Sequence, residues 1–215
     1  MSCSDDSRST SGVRTSSDQT TVVTSLYPLE YFARRIAGDS VTVVNIVKPG
    51  TEAHDFEPSP GDIRELDRAD LILYNGSGFE AWIDRALSSI DRNGWVVVEA
   101  GGGLAQLPSG SSDPHIWLDP LGAIEQAGLI RDALIRANPG EAERYDGNAA
   151  SLIGDLEGLD SRYRSALDSC RLRHFVTSHA AFGHLAGRYG LEQVSISGIA
   201  PEAEPSPRDL ARLTD

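Results

Sequence analysis

Residues Thr21 to Val47 read TVVTSLYPLEYFARRIAGDSVTVVNIV, and this stretch decides the fold. A β-branched run at Thr21–Ser25 gives way to a helical stretch at Leu29–Ala37 and then to a second β-branched run at Val41–Val47. Short apolar strands alternating with helices are the mark of α/β units around a mainly parallel sheet. The rhythm continues outward, with strands expected at Leu71–Tyr74 and Val96–Glu99 and helices at Gly61–Arg68 and Phe79–Ile90. Together these elements make one lobe of about 100 residues. In the last of the helices Phe79, Trp82, Ile83, Ala86 and Leu87 fall at i, i+3, i+4, i+7 and i+8, a stripe that packs on a sheet.

A Gly/Pro/Ser-rich stretch from Gly101 to Pro114 breaks the rhythm and reads as a surface loop. Two helical segments follow. The second, from about Gly140 to Asp168, is long enough to brace two lobes, with Leu152, Leu156, Leu159, Tyr163 and Leu167 at helical spacing and Gly147, Gly154 and Gly158 weakening it from within. Strands are expected again at Phe175–Ser178 and Gln193–Ser197, separated by a helix, and Ser206-Pro207-Arg208-Asp209 signals the start of another helix. The expected organisation is a disordered tether over 1–20, a first lobe over 21–119, a helical segment over 120–168, and a second lobe over 169–215 that is incomplete with only two strands.

The chain has 215 residues, enough for one large domain or two small ones. Acidic residues outnumber basic ones by 32 to 19, a formal net charge of −13, which argues against nucleic acid as a partner because phosphates are neutralised by clustered Lys and Arg. An acidic surface suits a soluble protein that meets cations. Membrane insertion is not expected either, since no apolar run approaches the roughly 20 residues that a spanning helix needs. With only Cys3 and Cys170, neither a disulfide framework nor a CxxC metal site is available. Cys3 opens a Ser/Thr/Asp/Arg-rich stretch to Thr20 whose only aliphatic residue is Val13, a composition that cannot bury a core. Such a stretch is either the membrane tether of a lipoprotein attached through Cys3 or an ordinary disordered terminus with an incidental cysteine.

Five histidines occur, and three of them lie where strands end: His54 after the second strand, His115 in the Asp-Pro-His turn that leaves the loop, and His179 after Phe-Val-Thr-Ser. Ligands of α/β sheets gather beyond the carboxyl ends of strands, and neutral imidazole is the commonest metal ligand. Three imidazoles plus an oxygen make a tetrahedral zinc site. Separations of 61 and 64 residues fix no local geometry, however, so three independent histidines remain the alternative. His174, an odd number of residues from His179, is expected to face the other way, and His184 to be packed inside an apolar helix.

Five colinear segments carry a resemblance: VVTSLYPLEYFARRIAG, VKPGTEAHDFEPSPGDIRELDRADLILYNGSGFEAWID, DPHIWLDP, RYDGNAASLIGDLEGLDSRY and VTSHAAFGHLAGRYGLEQVSISGIAPEAEPSP. The chain resembles the metal-binding solute-binding proteins of zinc and manganese ABC importers from about Thr21 to its last residue. The resemblance implies two α/β lobes joined by one rigid helix, here the Glu141–Asp168 region, with a divalent metal ion held in the cleft between them. It implies ligands at His54, His115 and His179, an extracytoplasmic location, a monomeric state, and an ABC transporter permease as partner. Manganese-selective relatives usually replace the third histidine by a carboxylate, so the implied cargo is Zn²⁺, with Mn²⁺ as the alternative. Two departures stand out. The loop Gly101–Asp113 lacks the histidines that many zinc-specific members carry there, and the family's fourth ligand, an Asp or Glu late in the second lobe, has no counterpart. Water, Glu52 or Asp55 could fill that fourth position. A truncated chain is the expectation that follows, and Cys170 is either a thiol without its disulfide partner or a buried free thiol.

Two other functions compete. Gly76-Ser77-Gly78-Phe79-Glu80-Ala81 fits the G-x-G-x-x-A pattern of dinucleotide-binding enzymes, with Glu99 at the end of the next strand, although it follows the third strand and not the first. A zinc hydrolase would also use three histidines and a water, but needs a general base that no local motif supplies. Asp113 and Asp119 flank His115, where orienting the imidazole is the expected duty of either carboxylate.

Overall fold

The computed structural model describes residues 19–91 and 94–201. Cys3 with its tether and the helix signal at Ser206 lie outside the described residues. Two parallel sheets form, as the alternation of runs predicts. The first contains β1 (Thr20–Thr24), β2 (Val41–Asn45), β3 (Leu71–Tyr74) and β4 (Val96–Glu99) in the order β2-β1-β3-β4, and the second pairs β5 (His174–Thr177) with β6 (Glu192–Ser195).

In the first sheet, alternate side chains serve opposite layers, as a period of two requires. Val22, Val43, Leu71 and Leu73 face α1 (Tyr27–Ala37), α4 (Pro120–Ala137) and the first half of α5 (Ala142–Asp168). Val23 and Ile72 face α2 (Pro60–Arg68) and α3 (Ile83–Ser88). Helices on both faces explain why Val22 and Val23 of β1 and Leu71, Ile72 and Leu73 of β3 are all buried, whichever face each points to. In α1 the stripe Leu29, Phe32, Ala33, Ile36 and Ala37 is buried, and burial of each large side chain is worth about 1.5–3 kcal/mol relative to exposure. Gly38, at φ 59°, ends the helix where a side chain would be strained. A capping box opens α2: Ser59 Oγ accepts from the Asp62 N–H, and the Asp62 carboxylate accepts from the Ser59 N–H.

The 27-residue α5 is continuous through all three of its glycines. At a rise of 1.5 Å per residue it extends roughly 40 Å. Its first half buries Tyr145, Ala149 and Leu152 with the first sheet. Its second half reaches α6 (Gly183–Tyr189), where Tyr163 stacks on Tyr189 at 5.1 Å and the Tyr189 hydroxyl donates to Asp160 at 3.0 Å. One helix thus touches the surroundings of both sheets. The second sheet is thinly covered among the described residues, with Val176 of β5 60% exposed and Leu172 just before it 80% exposed.

The helix expected over Phe79–Ile90 begins late. Gly76, Ser77 and Gly78 adopt φ of 82°, 54° and 82°, and the Glu80 carboxylate turns back to accept from the N–H groups of Asn75 and Gly76. That turn keeps Phe79 to Trp82 out of the helix. The apolar stripe is split as a result, with Phe79 joining the core on the α1 side of the sheet and Trp82, Ile83, Ala86 and Leu87 the core on the other.

Candidate metal centre

The carboxyl ends of the strands aim three connections toward one place. His54 lies in the connection after β2, His115 at the end of the connection after β4, and His179 two residues beyond β5. One ring nitrogen from each lies within 4.8 Å of the other two, and the His54 and His115 Nε2 atoms are 3.1 Å apart. Two donors on a tetrahedral zinc, with bonds of about 2.0–2.1 Å, sit roughly 3.3 Å from each other. The spacing of the rings therefore suits an ion shared among them. His115 is buried, whereas His54 and His179 are half-buried, so the cluster has a closed floor and an open mouth.

Asp113 sets the floor. Its Oδ1 accepts from the His115 backbone N–H at 3.0 Å and from His115 Nδ1 at 2.7 Å. A carboxylate can only accept, so the ring proton sits on Nδ1 and the Nε2 lone pair is left facing the other two imidazoles. Burial acts to raise the Asp113 carboxyl, but the hydrogen bonds from the His115 ring and backbone outweigh it and hold the group below its ordinary range. Asp113 Oδ2 accepts from the Gly183 N–H at 3.1 Å, across to the first residue of α6. On the other side of the cluster the His179 carbonyl accepts from Thr177 Oγ1 at 2.8 Å and from Gln193 Nε2 at 3.0 Å, which ties the His179 turn to both strands of the second sheet.

Phe79 forms the apolar wall. Its ring centroid is 4.4 Å from that of His54, 5.8 Å from that of His115 and 5.5 Å from that of Trp117. The sequence hid this role, because the helical spacing of Phe79 with Trp82 and Ile83 accounted for it as core. The left-handed Gly76-Ser77-Gly78 turn just before it was the available signal.

Other residues singled out in the sequence lie elsewhere. Asp119 does not orient His115. It caps α4 by accepting from the Leu121 N–H and binds Arg188 of α6 through both oxygens, with the shortest contact at 2.8 Å. His184 is not simply packed among apolar side chains, since its Nε2 meets the Asp113 carbonyl at 2.7 Å. His174 is exposed and sits 3.2 Å from Glu192, away from the cluster. Asp55 is exposed, and Glu52 accepts from the His54 N–H; among the described residues neither belongs to the group. Cys170 is a half-buried free thiol. In the glycine-rich turn the Asn75 and Gly76 N–H groups donate to Glu80 and the Ser77 N–H to Glu99, while a Cβ on Gly76 would lie 2.0 Å from the Glu99 carboxylate. The donors a pyrophosphate would need are already engaged, which removes the basis of the dinucleotide reading.

Comparison with known proteins agrees with this architecture. The chain is 37% identical over 210 residues to the zinc-binding lipoprotein AdcA of Streptococcus pneumoniae, covering 90% of this chain and 42% of that protein. It is 35% identical over 213 residues to the high-affinity zinc uptake system protein ZnuA of Bacillus subtilis, covering 91% of this chain and 66% of the relative. The chain therefore spans less than two thirds of the length of these relatives. Among solved structures, the Zn(II)-bound ZnuA-like domain of Streptococcus pneumoniae AdcA superimposes with a TM-score of 0.79 at 39% identity, covering 92% of this chain and 74% of that one. The laminin-binding protein Lmb of Streptococcus agalactiae, described as bifunctional with adhesin and metal transporting activity, gives 0.83 at 36% identity, with 92% and 75% covered. A family model described as ZnuA, zinc-uptake complex component A, periplasmic, matches residues 22–215, and the chain belongs to that family.

Proposed function

We propose that this chain captures Zn²⁺ through His54, His115 and His179 and hands it to the permease of an ABC importer on the outer face of the cell membrane. The observation that carries the reading is the meeting of three imidazoles, from three separate strand ends, within 4.8 Å of one another. Three nitrogen donors favour the borderline-soft Zn²⁺ over the harder Mn²⁺. Two relatives named for zinc binding and zinc uptake support the same cargo. The ion is cargo and not a resident cofactor, which suits a site with an open mouth. Hydrolysis has less support, because the carboxylate beside the cluster, Asp113, is held by His115 and Gly183 and so is not poised to take a proton from water. The lipoprotein name of the first relative also supports Cys3 as the point of a membrane tether.

Calorimetric titration tests the site. His54→Ala, His115→Ala and His179→Ala each weaken Zn²⁺ binding at least tenfold, while His174→Ala, on the far side of β5, binds as the parent does. Equal losses for all four variants, or a preference for Mn²⁺ over Zn²⁺, would overturn the reading.

A further inference from the structure

Asp113 makes contacts on both sides of the cleft. One oxygen holds the ring and backbone of His115, and the other holds the N–H that begins α6, four residues after His179. Its backbone carbonyl is met by His184 of the same helix. The side chain is 1% exposed, so water does not compete for these bonds. Residue 183 is fitted to the contact: a Cβ there would stand 2.6 Å from Asp113 Oδ2 and 2.9 Å from Leu107, so only glycine lets the helix start approach the carboxylate. Further along α6, Arg188 grips Asp119, six residues after Asp113, through a second carboxylate that is also buried. The segment 113–119 and helix α6 are thereby pinned at two points, with His115 on one partner and His179 four residues before the other.

We infer that Asp113 is a positioning residue that makes the aim of His115 and the seating of the His179-bearing segment depend on one carboxylate, so that holding and releasing the ion are tied to the contact between Asp113 and the start of α6. The inference rests on the three-histidine reading above. With α6 seated, Asp113 keeps the His115 proton on Nδ1 and His179 in reach. When the Gly183 contact breaks, His179 is free to withdraw with its segment, and the ion is left with a two-histidine grip. Outer partners of ligating histidines typically change metal affinity by about 10–100-fold.

The test compares Asp113→Asn and Gly183→Ala with the parent chain, using Zn²⁺ titration, the rate at which a chelator removes Zn²⁺, and the visible spectrum of the Co²⁺-loaded protein. Both variants are expected to lose about 10–100-fold in affinity, to release the ion faster and to shift the Co²⁺ spectrum in the same direction. Gly183→Ala alters neither a ligand nor a carboxylate, so it carries the test if Asp113→Asn does not fold. If His115→Ala abolishes binding while both variants keep the parental affinity, release rate and spectrum, the coupling is wrong and the metal site stands. A lower melting temperature with an unchanged Co²⁺ spectrum would mark a purely structural role and equally overturn it. If His115→Ala itself binds normally, the three-histidine reading falls, and this inference with it.

Discussion

Glu80 is 4% exposed and accepts from the Ser25 hydroxyl and from the N–H groups of Asn75 and Gly76. Burial raises its carboxyl above the ordinary range, and these three hydrogen bonds pull it back only in part. The folded protein thus holds this proton more tightly than the unfolded chain does. The associated stability is fully present below the unfolded value of about 4.3 and declines as pH rises through the folded one. In Glu80→Gln, an amide NH₂ replaces one acceptor oxygen and faces a backbone N–H. The variant is expected to unfold about 1–3 kcal/mol more easily, with a deficit that narrows as pH rises above the unfolded value of about 4.3, as denaturant titration at a series of pH values would show. An unchanged midpoint would mean that the turn does not depend on this carboxylate. Among single residues, His54, His115 and His179 stood out in the sequence as candidates because each lies beyond a strand, a placement that left three independent histidines open. The roles of Asp113 and Asp119 were legible only as a choice, since both flank His115 and the sequence does not show which of them α6 draws away. Arg188 made the difference by engaging Asp119.

At the scale of elements, α5 holds together against its own composition. Gly147 and Gly154 are exposed and helical, and a Cβ at either would meet nothing within 4 Å. Each glycine costs about 0.5–1 kcal/mol relative to alanine in such a position. The double variant Gly147→Ala/Gly154→Ala is expected to gain about 1–2 kcal/mol with Zn²⁺ affinity unchanged, measured by denaturant unfolding and calorimetry. A loss of stability would show that the helix needs to bend there. The long helix and all six strands among the described residues were readable because β-branched runs and the leucine spacing are local signals. The bounds of α3 were not, because periodicity continued through Phe79–Trp82 while left-handed glycine-rich backbone and the Glu80 carboxylate stopped the helix.

Over the whole molecule, the proposed ion bridges two sheets, since His54 and His115 extend from the first and His179 from the second. Binding to the folded state alone adds about 2.7 kcal/mol at a free ion concentration of 100 Kd. For a chain of this size that corresponds to a rise in melting temperature of roughly 5–11 °C. The gain is expected to fall unevenly: amides of β5, α6 and β6 become more protected from hydrogen exchange with Zn²⁺, while those of β1 and β3, already in a doubly covered sheet, change little. Uniform protection would mean that the ion is held within one sheet's loops. Convergence of the three histidines was beyond the reach of local reading, because it depends on how α5 and the Asp113 and Asp119 contacts place one sheet against the other. The resemblance supplied it instead.

The turn at Gly76–Gly78 has a consequence of its own. Left bare, its successive amides would be open to an anion from solution. Glu80 takes the Asn75 and Gly76 amides and Glu99, from the neighbouring strand, takes that of Ser77. The protein thus supplies the acceptors for these amides from its own side chains. Free phosphate or nucleotide therefore finds these amides already taken, by side chains that cannot diffuse away.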